Sequence, residues 1–238
     1  MQTFKVIAAL LHYPDAALQA ASDELIAALD EEGLLGPQTR ERIVALIREL
    51  GAEDLLLAQE RYVDTFDRGR ARSLYLFEHV HGDSRDRGPA MVELQQEYEA
   101  RGFAIDCVEL PDYVPMFLEF CSTLPPEEAI GWLEQVGHLL ELLHARLARH
   151  DSRYAVLLEP LLVLADRPIN DEALREQVAN EERDDTPEAL DSVWMEEPVT
   201  FGPGESCDSS STSAGPLDSQ RMQRDLHEAK ERADILSN

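Results

Sequence analysis

Cysteine is scarce in this sequence: only Cys107, Cys121 and Cys207 occur in 238 residues. They are too few and too scattered for a disulfide framework, and no Cys-x-x-Cys pair exists to build a zinc ribbon. The count fits a reducing cytosol. No run approaches the ~20 apolar residues of a membrane span, and Met1 to Leu11 reaches His12, Tyr13, Pro14 and Asp15 without a small-residue cleavage site, unlike a signal peptide. Lysine is nearly missing, with 2 residues against 19 arginines. Bases of both kinds number 21 against 48 acids, a net charge of −27. Such a chain repels nucleic-acid phosphates and anionic membrane surfaces. The catalytic signatures GxSxG, HExxH, GxxxxGK[ST] and GxGxxG are all absent.

The acidity is not confined to a tail. Residues 1–197 hold 41 acids and 17 bases, a balance of −24, and residues 198–238 contribute −3. A body with that field attracts and steers a basic partner; solubility alone is the plainer explanation.

What is present is helical periodicity. Leu18, Ala21, Leu25, Ile26 and Leu29 mark one apolar face, with Pro14 and Asp15 as a start and Gly33 as a stop. Ile43 to Leu50 repeat the pattern and end at Gly51. Leu55, Gln59, Tyr62, Val63 and Phe66 continue it, Pro89 to Arg101 predict another helix closed by Gly102, and Pro126 opens the longest. Tyr154 to Leu164 and the acidic stretch 171–194 complete the set. No alternation supports a strand. The expected fold is all-α, a single-domain multi-helix bundle over residues 1–197. Residues 198–238, rich in Ser, Gly and Pro to begin with, are expected to be a disordered tail.

The densest polar stretch, residues 61–88, carries six arginines and five acids around two histidines. Arg forms planar, bidentate pairs with carboxylates, so the stretch fits a turn stapled by ion pairs. Glu78, His79, His81 and Asp83 are metal-ligand types, but residues two apart face different sides of a helix. They support, as the alternative reading, a small metal-dependent hydrolase using Glu78, His79 and Asp83. No nucleophile or oxyanion hole accompanies them, and no metal is expected. Cys121, inside an apolar run, is expected to be core.

Phe66-Asp67-Arg68-Gly69-Arg70, Ser73, Leu76 to Gly82 and Ser84 to Gly88 together resemble the signature of the NarJ/NarW family. So do Leu10-Leu11 with Tyr13 to Leu18, Asp151 to Leu157, and Arg183 to Pro187 with Ala189-Leu190-Asp191 and Trp194. Glu109, Pro111, Asp112 and Leu118-Glu119-Phe120 are similar to a pattern of the wider family of molybdoenzyme chaperones, with Tyr113 where that family usually has His.

The resemblance implies an all-helical cytoplasmic assembly chaperone rather than an enzyme. Its client would be the apo catalytic α subunit of respiratory nitrate reductase, held by a basic, amphipathic N-terminal segment. The client would stay competent for insertion of bis-molybdopterin guanine dinucleotide and iron–sulfur centres before membrane docking. The chaperone itself binds no stable cofactor and leaves the finished enzyme. A helix-in-groove mode would draw on Tyr62, Phe66, Leu74, Phe77, Tyr113, Phe117 and Phe120, with Asp112 and Glu119 facing client cations. Each of these aromatics also fits a core position. Arg68, Arg70, Glu78, His79, His81, Arg85 and Arg87 are assigned to the scaffold of the turn.

Overall fold

The computed structural model describes residues 1–82, 84–106 and 108–194. Among them the chain is helical, with no strand and a single isolated bridge between Tyr75 and Tyr113. The elements are α1 (Gln2–Leu11), α2 (Ala16–Ala20), α3 (Ser22–Glu32), α4 (Pro37–Ala52), α5 (Leu55–Phe66), a 3-10 turn (Arg70–Arg72), α6 (Leu76–His81), α7 (Arg87–Ala100), α8 (Val114–Thr123), α9 (Pro126–Arg149), α10 (Ala155–Leu164), α11 (Glu172–Ala179) and α12 (Pro187–Trp194). The expected tail, 198–238, and the expected boundary after Glu197 lie outside the described residues.

Met1–Glu182 form one compact unit. Its centre is made by α1, α8, α9 and α10. α1 packs chiefly on α8 and also meets α3 and α10, while α9 carries α8, α10 and α11. Phe4, Ile7, Leu10 and Leu11 of α1 and Phe117, Leu118, Phe120 and Cys121 of α8 are all essentially inaccessible. Burying a large apolar side chain is worth ~1.5–3 kcal/mol, so this contact is a major source of the centre's stability. A second unit begins at Arg183, where Arg183 forks onto Asp185 ahead of α12.

Start signals in the sequence act as physical chemistry requires. Asp54 accepts the amides of Leu56 and Leu57 at the head of α5, and Asp15 that of Leu18. Such caps satisfy orphan helix donors and contribute ~1 kcal/mol each. Gly33 closes α3 at φ +63°, a left-handed conformation open to glycine.

Three expectations are corrected. The helix expected from Leu18 to Leu29 is two, broken at Ala21, which lies outside helical geometry with ψ 2°. Gly51 does not stop α4, which runs on to Ala52. A Cβ at Gly51 would sit 2.3 Å from Ser22 Oγ, so its glycine lets α3 approach α4. The acidic stretch 171–194 is two helices, α11 and α12, separated by residues 180–186.

Candidate functional site

The turn that follows α5 is clamped onto the head of α8. Leu76 N donates to Asp112 O at 2.9 Å and Val114 N to Leu74 O at 2.8 Å, which makes the Tyr75–Tyr113 bridge. Phe77 N adds a bond to Asp112 Oδ2 at 3.0 Å. Asp112 is fully buried, and burial pushes its carboxyl above the usual range, against the pull of the Phe77 amide and the Arg87 charge.

A second set of bonds holds the turn from behind. Buried Arg72 donates through Nε to Thr65 O at 2.7 Å and lies 2.8 Å from His150 Nε2. Arg146 of α9 donates to Ala71 O at 3.2 Å and forks onto Glu181. His79 sits between Ser73 O, 2.8 Å from Nε2, and Arg146 Nη1, 3.1 Å from Nδ1. Arg146 has only donors, so Nδ1 accepts and Nε2 carries the proton. Burial, then the charge of Arg146, holds the His79 pKa below the ordinary imidazole value, against the Ser73 bond.

In front of the clamp lies an aromatic and acidic rim. Tyr62 Oη donates to Leu11 O at 2.9 Å and lies 3.1 Å from Tyr113 Oη. Burial pushes the Tyr113 hydroxyl up to about 12, although its bond with Tyr62 acts the other way. Tyr75 stacks at a tilt on Tyr113 and donates to Glu109 Oε2 at 2.5 Å. Asp67, at the end of α5, is pushed upward by partial burial and by the charge of Glu109. Neither Asp67 nor Glu109 forms a salt bridge with a cation among the described residues. His12 meets Tyr113 edge-on and lies 3.7 Å from Glu119 Oε1. Half-exposed Tyr13 stands edge-on to Tyr62, and Leu56 at the head of α5 is 75% exposed.

This arrangement revises the expected groove. Tyr62, Phe66, Leu74, Phe77, Tyr113, Phe117 and Phe120 are all buried, as is Asp112. Phe66 packs on Tyr62 and Tyr154, and Phe120 lies among Tyr98, Phe103 and Trp132. In this conformation they support a surface and do not line an open channel. Glu119 alone of the set stands at the surface. The reason is that α8 sits between α1 and α9, so even its aromatic side chains are enclosed.

The turn residues divide likewise. Arg87 pairs with Glu78 at 3.4 Å, His79 is tied as above, and His81 packs edge-on to Phe77. The Arg70 carbonyl accepts the Ser73 amide. Arg68 is exposed and pairs with Asp64 one turn back at 2.8 Å, and Arg85 is exposed. The stronger anchors are Arg72 and Arg146, which lie outside that set. A buried Arg is unusual, but nothing local in the sequence marks which of many arginines is buried. For the hydrolase alternative, both His79 nitrogens are engaged and Glu78 faces Arg87; Asp83 lies outside the described residues. No cluster of three metal-ligating side chains occurs among the described residues. None of their helices is long and apolar enough to cross a membrane.

Residues 14–158 match the nitrate reductase delta subunit family. The chain is 45% identical over 209 residues to the nitrate reductase molybdenum cofactor assembly chaperone NarJ of Escherichia coli K12, covering 88% of this chain and 89% of that protein. It is 42% identical over 212 residues to a second protein of that organism, the probable nitrate reductase molybdenum cofactor assembly chaperone NarW, again over 88% and 89%. It is 34% identical over 160 residues to the probable chaperone of the same description, NarJ, of Bacillus subtilis, over 67% of this chain and 86% of that one. With the signature turn, the Glu109–Asp112 segment and the helical architecture in agreement, the chain belongs to the nitrate reductase delta subunit family, among the NarJ/NarW molybdenum cofactor assembly chaperones.

Proposed function

We propose that this protein is a cytoplasmic, client-specific assembly chaperone of respiratory nitrate reductase and not an enzyme. It binds the basic, amphipathic N-terminal segment of the apo α subunit. It keeps that subunit open to bis-molybdopterin guanine dinucleotide and iron–sulfur insertion, delays docking on the membrane anchor, and leaves before the enzyme is complete. The relatives' names support the cofactor-assembly role.

One observation carries the client reading: Glu109 accepts from Tyr75 at the edge of the Tyr75–Tyr113 stack, with the exposed carboxylate of Asp67 close enough to feel its charge. Two acids held near each other without a cation are electrostatically incomplete. A Lys or Arg of the client would complete them, and the tyrosine faces add cation–π attraction. Exposed Tyr13 and half-exposed Val63, beside Tyr62 and in the last turn of α5, offer apolar contact to the client's other face. The buried aromatics Tyr62, Phe66 and Phe117 act as the support of that rim.

The test has two parts. Calorimetry with a synthetic peptide of the client's N-terminal segment should give saturable binding, weakened in Asp67→Asn and Glu109→Gln. In cells lacking the protein, nitrate reductase polypeptides should accumulate without cofactor. Normal cofactor loading in such cells would overturn the reading.

A further inference from the structure

The rim continues along the seam between α1 and α8 and ends in an open cavity of about 240 Å³ lined by Lys5, Phe103, Glu119, Ser122 and Thr123. Lys5, Ala9 and His12 are spaced i, i+4, i+7 and so form one stripe of α1. All three are exposed or half-exposed. Seven residues at 1.5 Å each put His12 about 10 Å from Lys5 along the helix. Beyond His12, buried Tyr113 joins it to half-buried Tyr75, and Tyr75 to exposed Glu109, by direct contacts. The seam is thus long enough for a helix of about three turns, ~16 Å. Its middle is floored by Ala9, whose single methyl group permits close approach.

The two ends of the seam differ in charge. At one end stand Asp67 and Glu109. At the other stands Lys5, which forms no salt bridge with a carboxylate among the described residues; its neighbour in the cavity, Glu119, reaches instead to His12. A helix is a dipole, positive at its N-terminus and negative at its C-terminus. Resting on the client reading above, we infer that the client segment lies along this seam in one direction. Its N-terminal turn sits at Asp67 and Glu109, its C-terminal turn sits at Lys5, and an apolar side chain enters the cavity against Phe103. A basic client side chain midway meets Glu119. The reverse direction would set like charges together at both ends.

Lys5→Glu is the decisive variant, because an exposed side chain can be changed without loss of the fold. The probe is a fluorescent peptide of the client's N-terminal segment, together with two versions bearing Glu or Lys in its last helical turn. The native protein should prefer the Glu version by about two- to fivefold, the scale of an exposed charge at a helix end. Lys5→Glu should weaken the native peptide by a similar factor and reverse the preference. Thr123→Phe, which fills the cavity from an exposed position, should weaken all three peptides. An unchanged preference in Lys5→Glu, with Glu109→Gln still weakening binding, would overturn the orientation and leave the client reading standing. Absence of binding to the native protein would remove both.

Discussion

The Phe77 amide donates to the Asp112 carboxylate at 3.0 Å, joining residues 35 apart in sequence and fixing the signature turn to the head of α8. Asp112 Oδ1 accepts no bond among the described residues although it is buried. Burial raises the folded-state pKa, so the fold disfavours the charged form. That cost is absent below the unfolded value of about 3.9 and fully present above the folded one. Asp112→Asn keeps an acceptor for Phe77 and removes the charge. Its stability at pH 7 should equal or exceed that of the native protein, with a flatter profile between pH 4 and 7. Asp112→Ala leaves the amide unsatisfied and should cost ~1–3 kcal/mol. Urea unfolding of both variants measures this; a severe loss in the Asn variant would mean the charge itself is required.

Phe117 tests the revision of the groove. It is 1% exposed within α8. Truncating a buried Phe removes transfer free energy and leaves a cavity, so Phe117→Ala should cost ~3–5 kcal/mol of folding stability. Loss of client binding without loss of stability would instead place Phe117 on the binding surface.

His79 links the turn to pH. Its folded-state pKa lies below the ordinary value, so the unfolded chain takes the proton more readily. Stability is therefore full above about pH 6.5 and falls as pH drops from there through the folded-state value. Protonation would also turn Nδ1 from an acceptor into a second donor facing Arg146. His144 of α9 behaves in the same sense: burial lowers its pKa, the Arg175 and Arg42 charges lower it further, and Glu159 opposes them. His79→Gln should accordingly reduce, without abolishing, the loss of stability between pH 7.5 and 5.5. The native loss is bounded by about 1.4 kcal/mol per pH unit for each histidine. An unchanged difference in the variant would uncouple His79 from the effect.

How much of this was readable in sequence depended on exposure. α5 and α9 have one wet side, so their apolar residues recur with helical period and both appeared. α1 and α8 are buried nearly all round; seven of the ten residues of α1 and eight of the ten of α8 are buried. Such a helix reads as an unbroken apolar run, which periodicity cannot assign. The candidate rim stands where the flanks of those two helices meet the end of α5 and the signature turn, so its floor is legible only as aromatic residues without a direction. Asp112 stands in a legible motif, but its burial follows from a pairing with residues 74–77 that no local pattern reveals. Tyr75, His12 and Lys5 carried no signal of their own, since they matter through what the fold places beside them. Gly51 misled because a glycine at a helix stop and one at a close helix contact look alike in sequence.

The acidic rim makes a prediction about rates. Exposed carboxylates act over distance, so they speed encounter with a basic segment more than they slow its release. Raising salt from 0.1 M to 1 M shortens the Debye length from ~10 Å to ~3 Å and screens that attraction. Apolar contacts at Tyr13 and Phe103 are not screened, because burial of apolar surface does not depend on charge. Stopped-flow mixing with the client peptide should therefore show association slowing steeply with salt, dissociation changing little, and measurable binding persisting at 1 M. Glu109→Gln with Asp67→Asn should lower the low-salt association rate and flatten its salt dependence, because those two charges form the focus of the field. If the double variant keeps the native slope, the steering comes from the −24 body as a whole. Salt-independent association in the native protein would leave the acidity with solubility as its only role.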